Sequence, residues 1–398
     1  MKTVLVAWEL GGGLGHVMRA SALATSLMRE GARVVVALAD LADCARVTWP
    51  GEVVLIAAPR PHRRPQGFAN ASSYGELLYG AGYHDLNQLT GLVTAWGNLI
   101  ELSGADLLVA DHAPSAQLAA KMTGVPMARI GSGFFAPPPG AVTPIYRKWE
   151  SVDAARAEAT ERHVLEITNL VGAGAGVKRF CNLSEALAPD LDLVASWPEL
   201  DCYADLRPAG SVLYVGNEYV SAGASQLQWP LPSKGDRARV FAYLKGAYPA
   251  ISRVLKILGG EFETVAYVSG LNSEQRRHLA GDGLCLTDGP ISFERAAVEA
   301  DALVCHGGAG TAPWFLAAGK PVLLLPYSAE QLVNARQIEQ TGAGRVVLAD
   351  FIAKEFASAL NELTRESAAS SAARCLASRW LKQPDASRVA AQAVLGLR

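Results

Sequence analysis

Charge of one sign is what this chain has least of: 36 Lys and Arg stand against 38 Asp and Glu, a formal net charge of −2 over 398 residues. So even a balance gives no long-range attraction to nucleic acid, which is not expected as a partner. Cysteine is scarce, and the six present (44, 181, 202, 285, 305 and 375) contain no Cys-x-x-Cys pair or other metal-ligand spacing. Cys285 and Cys305 fall in apolar, strand-like segments and read as inert core thiols, and the set fits a reducing cytoplasm. No apolar run is long enough to cross a bilayer. The apolar start, residues 1–7 (MKTVLVA), runs into glycines as a strand does and reads as no secretory signal. No internal repeat is visible. What the chain does have is apolar bulk: half of it is hydrophobic, enough for two domains with ample cores.

Short apolar runs alternate with helical patterns throughout, which predicts an α/β chain of two doubly wound, Rossmann-like domains. Strands are expected near 2–8, 33–38, 52–57, 106–110, 126–131 and 211–215, then near 238–243, 262–269, 283–286, 302–305, 321–325 and 344–347. Residues 217–236 are polar and rich in Pro, Ser and Gly, as a linker would be. The domains are therefore expected at 1–216 and 237–375, with 376–398 as a closing helix.

The most informative stretch is CHGGAGTAPWFLAAGKPVLLLPYSAEQ, residues 305–331. An apolar strand empties into a turn with glycines at 307, 308 and 310, and a helix is expected from about Ala309. Such a turn aims unpaired backbone N–H groups and the positive end of a helix at one point, where a phosphate would sit. His306 and Thr311 offer side-chain donors on either side. Without a ligand, the same residues make only a tight strand-to-helix turn. Glu330 and Gln331 pair acceptors with donors, as sugar hydroxyls require, although alone they also suit a solvated helix start.

A second constellation lies at the amino end. Residues 8–31 (WELGGGLGHVMRASALATSLMREG) follow the first strand, with a glycine loop at 11–15 and apolar residues at helical spacing beyond it. The glycine spacing does not fit a dinucleotide fingerprint cleanly. His16 stands where loop meets helix, above the carboxyl edge of the sheet, where open α/β sheets bind ligands. A neutral imidazole there can take a proton from a hydroxyl. Asp111, ending another apolar strand (DLLVAD), is the carboxylate expected to orient it, though it could instead cap the helix ahead of Ser115.

These blocks resemble the signature of nucleotide-sugar-dependent glycosyltransferases of the two-domain GT-B fold. The resemblance is to the branch of plant UDP-glycosyltransferases and bacterial macrolide and flavonoid glycosyltransferases. Their pattern of His-Gly-Gly-x-Gly-Thr, Ala-Gly-x-Pro, a strand ending in Pro, and Asp/Glu-Gln is met at His306 to Thr311, Ala318 to Pro321, Leu323 to Pro326, and Glu330–Gln331. The resemblance implies two domains facing across a cleft, with His16 opposite the Thr311 turn and the closing helix 376–398 packing back on the first domain. It implies that His306, Gly308, Ala309, Gly310 and Thr311 hold the donor's diphosphate, and that Glu330 and Gln331 bond the transferred sugar. Gly15 is a further donor contact on this reading, and Lys245 either adds a positive charge at the diphosphate or is a solvated loop lysine. Lys245 departs from the small hydroxyl residue usual there, and Ile291 or Phe293 would stand in for a missing tryptophan at the nucleobase. His16 and Asp111 match the family's base and its partner.

The implied activity is an inverting, metal-independent transfer of a sugar from a UDP- or dTDP-sugar to a hydroxyl of a small, apolar or aromatic acceptor. Acceptor contacts are expected from Phe134 and Phe135, in a loop that either exposes two aromatics or buries them against the long helix, and from Tyr83 in the helical stretch 77–102, whose aromatics at helical spacing also suit a core. Arg60, Arg63 and Arg64 lie close together in the loop 59–74, either gripping an acidic acceptor or solvated. Arg19, one turn beyond His16, is expected either in a helix-face ion pair or at the phosphates. GLGHVMR also resembles nucleotide-sugar hydrolases, so hydrolysis with His16 activating water is the second reading. A sugar-nucleotide-binding protein without turnover is the third. No cofactor is expected beyond the nucleotide sugar itself, and the chain is expected to be cytoplasmic.

Overall fold

The computed structural model describes the chain except residues 63–64, 66–70, 218–226, 231–236, 290, 366, 381–384 and 398. The arginines at 63 and 64, and most of the expected linker 217–236, therefore lie outside the described residues. By internal contacts the chain divides into two units, Met1–Glu218 together with Pro384–Arg398, and Tyr219–Gln383.

The first domain is a seven-stranded sheet in which every pairing is parallel. Its strands are β1 (Thr3–Trp8), β2 (Arg33–Leu38), β3 (Val54–Ala57), β4 (Leu107–Asp111), β5 (Met127–Gly131), β6 (Leu191–Val194) and β7 (Leu213–Tyr214), in the order β3-β2-β1-β4-β5-β6-β7. Side chains alternate across the sheet, so each strand feeds two cores. Leu5, Ala7 and Leu108 pack with Trp96 and Ile100 of the helix Leu86–Ser103 on one face. Val4, Val6 and Leu107 pack on the other with Val17, Leu23 and Leu27 of the helix Leu14–Arg29. The chain's last helix, Ala386–Leu395, adds Ala390, Ala391 and Val394 to that second core, and its Ser387 hydroxyl lies 2.8 Å from that of Ser26. The preceding helix, Ala368–Trp380, belongs to the second unit, so the return to the first domain begins later than residue 376.

The second domain repeats the plan with β8 (Arg239–Lys245), β9 (Glu263–Ser269), β10 (Leu284–Leu286), β11 (Ala302–Cys305), β12 (Val322–Leu324) and β13 (Gly344–Val346), in the order β10-β9-β8-β11-β12-β13. In each sheet the strand order reverses between the first and fourth strands. The carboxyl ends of β1 and β4, and of β8 and β11, therefore open the crevices where sheets of this kind take ligands. Among the described residues no helix is long and apolar enough to cross a membrane.

β6 is the strand that the sequence pattern did not reveal. Asp190 and Asp192 break its apolar run, yet both charges are used. Asp190 accepts the Met127 N–H at 2.8 Å, and Asp192 takes Arg129 of β5 bidentately at 3.0 and 2.5 Å. The Arg129 and Asp192 side chains are only 7% and 9% exposed, so removing one leaves the other charge uncompensated. Arg129→Met should cost about 3–5 kcal/mol in urea unfolding. The double variant Arg129→Met/Asp192→Leu should recover most of that loss.

Candidate functional site

The parallel register sets Trp8 level with Asp111, so the ends of β1 and β4 lie side by side. After Trp8 the chain turns through Gly11 (φ 84°) and Gly13 (φ 110°) and enters the helix Leu14–Arg29. His16 and Arg19, three residues apart, share one face of that helix, and both reach Asp111. His16 Nδ1 is 3.0 Å from Asp111 Oδ2, and Arg19 Nη1 donates to both carboxylate oxygens at 3.0 Å. Burial alone would raise the Asp111 carboxyl. The Arg19 guanidinium, followed by His16, outweighs it and holds the group down at about 2. An ionised Asp111 accepts the Nδ1–H and fixes the tautomer that leaves a lone pair on Nε2. The ring is held by Trp8, stacked at 5.0 Å and 13°, and by Phe135, tilted at 5.7 Å. Nε2 faces Gly11, where a Cβ would come within 3.2 Å of it. Gly15 is exposed in the first turn of the helix.

Arg19 forms an ion pair, one of its two expected roles, and its partner is Asp111 at the end of β4. Asp111 does not cap the helix Pro114–Thr123. The cap is Glu9, whose Oε2 accepts the Ser115 N–H at 2.9 Å. Sequence reasoning passed over Glu9. It is fully buried, and desolvation pushes its carboxyl up to about 7.

The expected acceptor residues are corrected by burial. Tyr83 has no exposed surface and sits in the core, its hydroxyl 3.3 Å from that of Ser115. Phe134 and Phe135 are 3% and 5% exposed, because the short turn Gly133–Phe135 folds them over the end of the sheet. Phe134 packs edge-on to Tyr146 at 4.8 Å, while Phe135 stacks on His112 at 3.8 Å. Phe135 is therefore a wall behind the histidines, not an exposed platform.

In the second domain, β8 and β11 end at Lys245 and Cys305, and His306 ties them together. Its Nε2 accepts the Lys245 N–H at 2.9 Å, and its Nδ1 donates to the Leu325 carbonyl at 2.7 Å. Burial, with a smaller push from Lys245, lowers this imidazole to about 4, so it is neutral. Both nitrogens being occupied, the ring has no N–H to give a phosphate, and the expected side-chain contact is corrected: His306 is a strut of the turn. Gly307 (φ 82°) then brings the chain against the helix Ala329–Gln340, where a Cβ would meet the Gln331 carbonyl at 2.9 Å. Nothing lies within 4 Å of the Cβ positions of Gly308 and Gly310, so their backbone is open to a ligand. The helix begins at Thr311, two residues later than expected.

Gln331 Oε1 accepts the Tyr327 N–H at 3.1 Å, which leaves its amide N–H groups as donors, and Glu330 is half-buried beside it. The Lys245 ammonium lies over the Tyr327 ring at 5.9 Å. Ile291 is buried, and Phe293 packs edge-on to Tyr243 at 5.2 Å, so neither stands as an exposed platform for a base. Among the described residues no three His, Cys, Asp or Glu side chains are grouped to hold a metal ion.

Comparison with known proteins defines the class first. The chain superposes on the glycosyltransferase of kitacinnamycin over 99% of its own length and 98% of that chain, with a TM-score of 0.71 at 17% identity. It superposes on the glycosyltransferase VinC, solved in complex with dTDP, over 99% and 98%, with a TM-score of 0.67 at 15% identity. The fold is GT-B. Residues 291–395 match the family described as erythromycin biosynthesis protein CIII-like, C-terminal domain. The zeaxanthin glucosyltransferase of Pseudescherichia vulneris is 29% identical over 177 residues, 42% of this chain. That match spans 40% of the length of the curated relative.

Two expected outcomes test this geometry. Gly11→Ala forces a side chain into a left-handed backbone and toward His16 Nε2, and should remove activity while leaving nucleotide affinity, read by calorimetry, intact. For His306, the unfolded chain takes up a proton below about pH 6.5 and the folded chain does not until about pH 4. Its contribution is therefore complete above pH 6.5 and lost as pH falls toward 4, on the order of 3 kcal/mol. Urea unfolding at pH 7 and pH 4.5 should show this slope, and His306→Gln should flatten it.

Proposed function

We propose that the protein is an inverting, metal-independent glycosyltransferase that uses a UDP- or dTDP-sugar and glycosylates a hydroxyl of a small apolar or aromatic acceptor. The observation that carries the reading is the Arg19–Asp111–His16 chain, in which a carboxylate held ionised bonds Nδ1 of the imidazole and sets Nε2 facing Gly11. On this reading Nε2 takes the acceptor's hydroxyl proton as the oxygen bonds to the anomeric carbon. The bond from that carbon to the diphosphate breaks, the electron pair leaves with the phosphate oxygen, and attack from the opposite face inverts configuration. Such a base contributes roughly a hundredfold to ten-thousandfold.

The second domain would receive the leaving diphosphate. Its Gly308–Thr311 backbone N–H groups and the Thr311 hydroxyl supply donors, Lys245 supplies a positive charge, and Glu330 and Gln331 bond the sugar hydroxyls. Fixed donors of this kind carry the negative charge without a metal ion. Gly15 would line the donor site from the first domain's loop. The dTDP complex of VinC supports a nucleoside diphosphate in this role. The zeaxanthin glucosyltransferase match supports a small apolar acceptor.

The test is release of UDP or dTDP from a panel of nucleotide sugars, with and without a mixed phenolic and lipid acceptor pool. Acceptor-dependent release is expected, abolished in His16→Ala with nucleotide affinity unchanged. Wild-type rates in that variant would remove the base assignment. Rapid release without acceptor, lost in His16→Ala, would make the protein a nucleotide-sugar hydrolase.

A further inference from the structure

His112 is the buried polar group that the proposed chemistry leaves unused. It follows β4 directly, is 4% exposed, and neither ring nitrogen has a hydrogen-bond partner. A neutral imidazole carries one donor and one acceptor, and burying both without partners is costly. Neutrality is assured, because burial, together with the nearby His16, lowers the group to about 3.

The ring's direction is informative. A Cβ built on Gly11 would stand 3.4 Å from His112 Nδ1 and 3.2 Å from His16 Nε2, so both nitrogens face the same bare stretch of backbone. Phe135, stacked on His112 at 3.8 Å, fixes the ring plane. The second domain supplies the contrast. His306 follows the fourth strand of its sheet as His112 follows the fourth strand of the first, yet both His306 nitrogens are satisfied, by the Lys245 N–H and the Leu325 carbonyl. At the same position in the fold, one imidazole closes on the backbone and the other is left open beside the base.

We infer that His112 is a second ligand of the acceptor oxygen, its Nδ1–H donating to the hydroxyl whose proton His16 Nε2 removes. The inference rests on the reading of His16 as base. One hydroxyl then donates to His16 and accepts from His112, which leaves its remaining lone pair to attack the anomeric carbon. Two fixed partners select for an oxygen nucleophile, which must both give and accept a hydrogen bond.

The experiment compares wild type, His16→Ala, His112→Leu and His112→Asn in the nucleotide-release assay, with kcat and acceptor KM determined separately. Asn keeps an N–H near the place of Nδ1 and tolerates the left-handed backbone at this residue (φ 47°). His112→Leu should lower kcat about tenfold to a hundredfold and raise acceptor KM. Nucleotide affinity and the melting temperature should hold, and His112→Asn should retain most of the wild-type rate. Wild-type kcat and acceptor KM in His112→Leu would overturn the inference while the base reading, judged on His16→Ala alone, stands. Equal losses in both His112 variants together with lowered melting would also overturn it, showing a packing role. If wild type releases nucleotide without acceptor, His112→Leu must lose that release too, since the oxygen held is then water's; unaffected release overturns the inference. A wild type inert across the panel overturns the base reading and the inference with it.

Discussion

Asp111 is a carboxylate buried at the end of a parallel sheet, and it stays ionised chiefly because Arg19, followed by His16, is beside it. Taking a charge from water into such a place is expensive, and without a cation the group would accept a proton instead. A protonated Asp111 could not hold the Nδ1–H of His16, and the imidazole would lose both its tautomer and its aim. Through Asp111 the guanidinium therefore governs the aim of a ring on which the proposed chemistry depends. The register of β1 on β4, the glycine turn and the first two turns of the helix Leu14–Arg29 all serve to bring these three side chains to one point.

The sequence displayed some of this and concealed the rest, for reasons of distance and partnership. Both Rossmann-like sheets were legible because each strand is a short apolar run bounded by turn residues. His16 and Asp111 were legible because each directly follows or ends such a run, where parallel sheets place their functional groups. Arg19 was not assigned, because its partner is ninety-two residues away and only the fold brings them together. β6 was hidden for the same reason: the charge of Asp192 looks like a loop until Arg129 is placed opposite it. For Phe134, Phe135 and Tyr83 the sequence left burial open beside exposure. Aromatics near a glycine-rich loop resemble a platform, but the turn Gly133–Phe135 buries two of them and the core takes the third.

The two sheets share one topology and diverge at corresponding positions. After the first strand, one domain carries a buried carboxyl at Glu9 that caps a helix, and the other ends in an exposed lysine at Lys245. After the fourth strand, both carry histidine. In the second domain that histidine is spent on holding two strand ends together, which frees the following glycines to present backbone N–H groups. In the first, the backbone needs no such strut, since the Leu10 N–H already bonds the His112 carbonyl at 3.0 Å.

That difference divides the chemistry between domains. Anion binding calls for a rigid array of main-chain donors, and a neutral, fully bonded His306 supplies rigidity without competing for the anion. Proton transfer calls for an imidazole with one nitrogen left for the substrate, and on the proposed reading His16 serves because Asp111 bonds its Nδ1. An imidazole satisfied at both ends cannot serve as a base, and one satisfied at neither has no fixed tautomer. On the proposed reading, Asp111, by bonding His16 at one end only, gives the first domain a capacity for proton transfer that the same fold in the second domain gives up for stiffness.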